Sequence, residues 1–229
     1  MRLNKFIAST GLCSRRKADE LIFKGKVKVN ENTMLFPSYD VKSDDIVLVE
    51  GKILKREKYV YYLFYKPLNV LTSYDDKRGR KSLRDFEFFK THNLGYSGRL
   101  DYKSEGLILF TNNGDLIYRL QTPKYKVEKE YEVEVDKILT LYQKKVLEKG
   151  LKTDDFVYLN CKIDKINEKK YKIVLIEGKN RQIRNMFAHF NIKVLRLVRT
   201  RIGKFTIENM KPGDIKELSE DDIKENLYV

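Results

Sequence analysis

Tryptophan is absent from this 229-residue sequence, and cysteine, histidine and proline are scarce, with two, two and four residues. Each shortage removes a class of protein. Cys13 and Cys161 stand far apart, with neither the paired spacing of a metal cluster nor enough partners for a disulfide framework, which points to a reducing, cytoplasmic setting. His92 and His189 are too few for a histidine-rich zinc site, and no metal is expected. No apolar run nears the roughly 20 residues that a membrane-spanning helix needs. The opening stretch, MRLNKFIASTGLCSRRK, has neither the long apolar segment nor the small-residue cleavage site of a secretory signal. Internal repeats and low-complexity tracts are missing as well.

What the chain has in excess is positive charge. Lys and Arg number 47 against 33 Asp and Glu, a formal net charge of +14. That balance favours a polyanionic partner, either nucleic-acid phosphates or an anionic membrane surface. A membrane-surface protein would carry a strongly basic amphipathic helix, and none stands out. Hydrophobic residues at 41% and aromatics at 12% are too many for a disordered basic tail and imply a packed core.

The chain divides near residue 58. Leu3, Phe6 and Ile7 have helical spacing before Gly11, and Ser14 is a candidate N-cap for a second helix carrying Ala18, Leu21 and Ile22 and ending at Gly25. Lys26-Val27-Lys28-Val29 alternates as a strand, Asn30-Glu31-Asn32 is a turn, and Asp45 to Val49 is a further strand. A charged stretch, Lys52 to Lys58, leads to an aromatic strand, Tyr59 to Tyr65. Strands are expected at Gly106–Thr111, Glu130–Val135, Phe156–Ile163, Tyr171–Ile176 and Lys204–Ile207, and helices at Asp115–Gln121, Leu141–Lys149 and Asn180–Phe190. Successive strands joined by short turns predict an α+β fold with a mostly antiparallel sheet flanked by helices. The acidic stretch from Asp214 to Val229 is expected to be a solvated end.

Arg15, Arg16 and Lys17 open the second helix, where cations oppose the helix dipole and give no help to folding. With Lys26 and Lys28 on one strand face they form a candidate phosphate-binding surface. RLNKFIASTGLCSRRKADELIFKGKVKVN resembles the S4-like (alpha-L) RNA-binding module, whose two helices and strand grip structured RNA by its backbone.

The window Gly98-Arg99-Leu100-Asp101, followed by SEGLILFTNNG from Ser104, places an acidic residue on a turn just ahead of a buried strand. Arg99 and Asp101, two apart, share a face in extended chain. This window resembles the active-site motif of pseudouridine synthases, in particular the ribosomal-RNA group with an N-terminal S4-like module. Lys66-Pro67, Lys129-Glu130-Tyr131, Glu177 to Met186 and Leu197 to Gly203 follow in that family's order. The resemblance implies residues 1–58 as an S4-like domain and linker and 59–229 as a catalytic domain of the pseudouridine synthase fold.

It also implies roles. Asp101 is the catalytic nucleophile, Arg184 the cation that pairs with it, and Tyr131 the aromatic that stacks on the flipped uracil. Leu197 lines the base pocket. Arg99 occupies the space the base vacates or holds a neighbouring phosphate, and Arg181 contacts RNA. Taken alone, Tyr131 and Leu197 have the sequence context of core residues, and Arg181 and Arg184 that of solvated helix arginines. Lys66, Arg199, Arg201 and Lys204 are expected at the RNA backbone.

The implied reaction converts uridine to pseudouridine in ribosomal RNA without a cofactor. The large-subunit (23S) branch is favoured, with the RNA free or in a precursor particle. The small-subunit (16S) reaction and a non-enzymatic RNA-binding assembly factor are the alternatives. A monomer is the default.

Overall fold

The computed structural model describes residues 1–55, 58–92 and 94–227. The expected boundary near residue 58 adjoins residues 56 and 57, which lie outside the described residues. The chain forms two compact units, Met1–Tyr59 with Asn112–Gly114, and Val60–Thr111 with Asp115–Val229.

The first unit runs α1 (Leu3–Ser9), α2 (Arg15–Phe23), β1 (Val27–Val29), β2 (Asn32–Met34), β3 (Val47–Val49) and β4 (Lys52–Ile53). Ser14 caps α2 by accepting from the Lys17 amide at 3.3 Å. Asn30 and Glu31 both take positive φ, 47° and 71°, and so turn β1 tightly back into β2. The valine–lysine alternation resolves as expected. Val27 and Val29 are buried with Leu3, Ile7, Ala18 and Ile22, while Lys28 faces solvent.

The second unit contains β5 (Tyr61–Lys66), α3 (Glu87–Thr91), β6 (Gly95–Tyr96), β7 (Glu105–Thr111), α4 (Gly114–Gln121), β8 (Lys129–Val135), α5 (Leu141–Lys149), β9 (Lys162–Asn167), β10 (Lys170–Leu175), α6 (Gln182–Ala188), β11 (Val194–Ile202), β12 (Phe205–Thr206), β13 (Ile215–Leu218) and α7 (Glu220–Leu227). The strands order as β13-β5-β7-β11-β8-β10-β9, with β12 on β11 and β6 on β7. Among the described residues the pairings are antiparallel except β7 with β11, which is parallel. The result is the expected α+β architecture. Side chains alternate across β7, so Ile108 and Phe110 join one core layer and Leu107 and Leu109 the other. α5 and α6 contribute Leu147, Ile183 and Met186 to the first layer, and α4 and α7 contribute Leu116, Leu120 and Ile223 to the second. Among the described residues no helix is long and apolar enough to cross a membrane.

Three expectations are corrected. The acidic C-terminal stretch is structural: β13 pairs with β5, Ser219 and Asp222 cap α7 reciprocally, and Leu218, Ile223 and Leu227 are buried. Its acids stay outside, and three of them sit in the first turn of α7, where the helix dipole favours them. The strand expected at Phe156–Ile163 falls instead at β9, because the backbone before it bonds elsewhere. The Leu159 amide, for example, donates to the Glu177 carboxylate at 2.8 Å. The helix expected to be capped by Asn180 starts at Gln182, with Arg181 at the N-cap in left-handed conformation. In addition, Val194–Ile202, where no element is expected from the sequence, is a full central strand whose pairing with β8 is interrupted by two register shifts.

Candidate active site

Asp101 lies on a turn between Leu100 and the start of β7, closed by a hydrogen bond from the Ser104 amide to the Asp101 carbonyl at 3.0 Å. Gly98, just before it, has φ of 138°, a conformation that side chains resist. Gly106, just after it, is required by close approach: a Cβ there would stand 2.2 Å from the Arg199 carbonyl oxygen of β11. The turn's other backbone groups are also engaged. The Leu100 amide donates to Thr72 Oγ1 at 3.2 Å, and that hydroxyl donates to the Leu100 carbonyl at 2.8 Å. The Asn69 amide donates to the Tyr102 carbonyl at 2.8 Å.

Two guanidinium groups converge on the carboxylate. Arg184 Nε and Arg181 Nη1 each stand 3.9 Å from Asp101 Oδ2. Their environments differ. The Arg184 side chain is 12% exposed, and its terminal nitrogens are spent on backbone, with Nη1 donating to Val194 O at 2.9 Å and Nη2 to Lys103 O at 2.6 Å. Its Nε is buried with no hydrogen-bond partner among the described residues and stands 3.9 Å from Asp101. Burial lowers the pKa of this guanidinium, with Asp101 opposing the shift and Arg181 adding to it. The Arg181 side chain is 52% exposed, so its attraction for the carboxylate is screened.

The start of α6, which carries both arginines, is held by buried polar groups. Gln182 Nε2 donates to Glu177 Oε1 at 2.7 Å, and the Lys179 amide donates to Gln182 Oε1 at 3.1 Å. Glu177 is 3% exposed, so its carboxylate is a fixed internal acceptor.

Tyr131 and Leu197 are both buried in the first core layer, together with Leu100 and Ile183 that flank Asp101 and Arg184 in sequence. Strand register places Lys66 opposite Gly106, Gly106 beside Arg199, and Arg199 opposite Tyr131. Tyr131 is thus two strands from the strand that Asp101's turn begins, about 10 Å at ordinary strand spacing. Arg99 is exposed.

Lys66, expected at the RNA backbone, is corrected. It is fully buried, and its ammonium donates to Pro67 O and Val70 O, each at 2.8 Å. Burial lowers its pKa to about 8, while Glu105 and Asp101 oppose the shift. Arg199 is corrected likewise: it is 2% exposed, with Nε donating to Leu107 O at 2.5 Å.

In the first unit Arg15, Arg16, Lys17, Lys26 and Lys28 are all exposed, as a phosphate surface needs. Lys17 and Lys26 pair with acids, Glu20 at 2.8 Å and Glu50 at 2.5 Å, which reduces their contribution to the positive field.

The sequence did not single out Thr72 or the role of Glu177. Thr72 bonds a backbone 28 residues onward, and Glu177 accepts from the Leu159 amide 18 residues back as well as from Gln182, and no local pattern marks the distant contacts.

Comparison with known proteins identifies the family of the chain. Residues 60–189 match the family model of RNA pseudouridylate synthase, and residues 1–47 match the S4 domain. The chain is 35% identical to the ribosomal large subunit pseudouridine synthase B of Bacillus subtilis, over 97% of this chain and 94% of that one. It is 34% identical to a dual-specificity RNA pseudouridine synthase of Escherichia coli, over 97% of this chain and 77% of the relative. A crystal structure of a pseudouridylate synthase superposes with a TM-score of 0.71 at 27% identity, covering all of both chains. The chain therefore belongs to the RNA pseudouridine synthases and carries an S4 domain at its N-terminus.

Proposed function

We propose that this enzyme isomerises uridine in ribosomal RNA, with the large-subunit (23S) RNA, free or within a precursor particle, as its substrate. In this reading Asp101 is the nucleophile, and the protein works as a cytoplasmic monomer without a cofactor. Residues 1–58 bind RNA and residues 59–229 carry the reaction. The single observation that supports the catalytic reading best is the approach of Arg184 Nε and Arg181 to one Asp101 oxygen, on a turn whose backbone is hydrogen-bonded from outside. The large-subunit preference rests on likeness to the Bacillus subtilis relative, whose name specifies that subunit.

The chemistry needs one ionised carboxylate. A uridine in folded RNA must first leave its stack, at a cost of a few kcal/mol. In this reading Arg99, which is exposed, fills the gap or holds a phosphate beside it. The N1–C1′ glycosidic bond then breaks, the uracil turns while captive, and C5 bonds to C1′. The C5 proton is lost and N1 regains one, so no redox partner or group donor enters. The Asp101 side chain is 29% exposed in the free protein, and in this reading the role of Arg184 is to set a cation beside it where the RNA covers the site. Tyr131 offers an aromatic face to the extruded base and a phenol for moving the C5 proton. Leu197 supplies an apolar wall.

The test is direct. Purified protein incubated with 23S and 16S transcripts and with precursor particles is expected to form pseudouridine at a defined large-subunit position, mapped by carbodiimide primer extension. Asp101→Asn is expected to abolish conversion while leaving RNA affinity within about two-fold. Conversion by that variant at the normal rate overturns the nucleophile assignment, and modification confined to 16S RNA overturns the subunit.

A further inference from the structure

A nucleophile carried on a turn is aimed only as well as the turn's backbone is fixed, and misplacement by about 1 Å can cost about a hundredfold in rate. Asp101 lies outside regular structure, and the groups that fix its neighbours come from the segment after β5. The Thr72 hydroxyl meets both backbone groups of Leu100, accepting from the amide at 3.2 Å and donating to the carbonyl at 2.8 Å. On the far side of Asp101, the Asn69 amide donates to Tyr102 O. The same segment thus grips the residue before Asp101 and the residue after it. Thr72 is 1% exposed, so bulk water does not stand in for its hydroxyl.

The segment is itself anchored. The Lys66 ammonium ties Pro67 O and Val70 O together, and the Leu71 amide donates to Lys81 O at 2.9 Å. Further along the turn, Arg184 holds Lys103 O at 2.6 Å while its Nε stands 3.9 Å from the carboxylate. The turn is therefore held by Thr72 at Leu100 and by Arg184 at Lys103.

We propose that Thr72 is a positioning residue for pseudouridine formation, its hydroxyl fixing the peptide ahead of Asp101 and so setting the direction of the carboxylate toward Arg184 and the extruded nucleoside. The assignment rests on the reading of Asp101 as nucleophile. It differs from a packing role in depending on the hydroxyl and not on side-chain volume. Valine keeps the volume and removes both hydrogen bonds, serine keeps the hydroxyl, and cysteine offers a thiol that is a weak donor and acceptor.

The experiment measures kcat and KM on the same ribosomal RNA substrate for Thr72→Val, Thr72→Ser, Thr72→Cys and Asp101→Asn, with thermal melting of each. Thr72→Val is expected to lose about 30- to 100-fold in kcat with KM within about two-fold. Thr72→Ser is expected to stay within about three-fold of the parent, and Thr72→Cys to fall between. If Thr72→Val is unfolded at the assay temperature, Thr72→Cys against Thr72→Ser carries the comparison. A valine variant at the parental rate, equal losses for Ser, Cys and Val, or an effect confined to KM overturns the proposal. A dead Asp101→Asn beside a fully active Thr72→Val sinks the positioning role alone, whereas an active Asp101→Asn sinks the nucleophile reading itself.

Discussion

Arg184 shows why a single positive charge beside a carboxylate is not an interchangeable part. Its guanidinium reaches Val194 O, Lys103 O and the vicinity of Asp101 at once because five N–H donors are fixed in one plane. A lysine ammonium carries the charge but cannot span those three positions. Arg184→Lys is therefore expected to lower kcat by about 100-fold or more with RNA affinity nearly unchanged. Arg181→Lys, at a half-exposed position where pairs are worth at most about 1 kcal/mol, is expected to cost less than about ten-fold. Steady-state kinetics of the two variants side by side checks the contrast, and equal losses would remove the distinction. Gly106 is constrained from a different direction, by a φ of 113° and the Arg199 backbone against its face. Gly106→Ala is expected to cost about 2–4 kcal/mol in urea unfolding. At this scale the motif around Asp101 was legible because its residues are contiguous, and Arg181 and Arg184 because they share one helix start. Lys66 misled because a lysine before proline looks like surface, whereas the sheet buries it completely. Thr72 carried no signal at all, since its partner is a backbone 28 residues onward and threonine is an ordinary strand residue.

Elements show where periodicity informs and where it fails. α5 spans Leu141–Lys149 as its pattern predicts, and α2 keeps its serine cap and its glycine stop. β11 escaped recognition because register shifts at Val194/Arg196 and Arg199/Arg201 break its alternation, yet it is the strand that joins β7 to β8 and brings Leu197 and Tyr131 into one layer. The C-terminal elements were hidden by charge. Glu220, Asp221 and Asp222 dominate the composition of α7, while Ile223 and Leu227, one helical turn apart, do its packing against the second core layer. A tail that merely solvates would tolerate truncation. Here Ile223→Ala is expected to lower stability by about 2–4 kcal/mol, read as a shift in urea midpoint at unchanged m-value. A change below about 0.5 kcal/mol would return α7 to the status of a loose end.

At the scale of the whole molecule, net positive charge has two separate consequences. One is internal. Lys129, 5% exposed beside Arg199, has its pKa lowered to about 8 by burial first and by that arginine second, from an ordinary value of 10.5. Between those values the unfolded chain holds the proton more strongly than the folded one, so this residue's contribution to stability rises as pH climbs through the window and is lost again on the way down. Lys129→Met removes the penalty. The variant's stability relative to the parent is expected to be better at pH 7 than at pH 10 by about 1–3 kcal/mol, a difference in which other alkaline titrations cancel. The other consequence is external. Arg15, Arg16 and Lys28 are exposed on the S4 unit and form no ion pair with an acid among the described residues, whereas Lys17 and Lys26 pair with Glu20 and Glu50. Phosphate contacts release counterions, and each is worth on the order of 0.7–0.9 in the slope of log K against log salt. If these three side chains meet RNA phosphates, replacing all three with glutamine lowers that slope by about two and weakens binding equally for cognate and unrelated RNA, because phosphate contacts carry no sequence information. The corresponding replacement of Lys17 and Lys26 is expected to change the slope by less than one. A titration across 50–300 mM salt separates the outcomes, and an unchanged slope in the triple variant would move the RNA-binding surface away from the α2–β1 face.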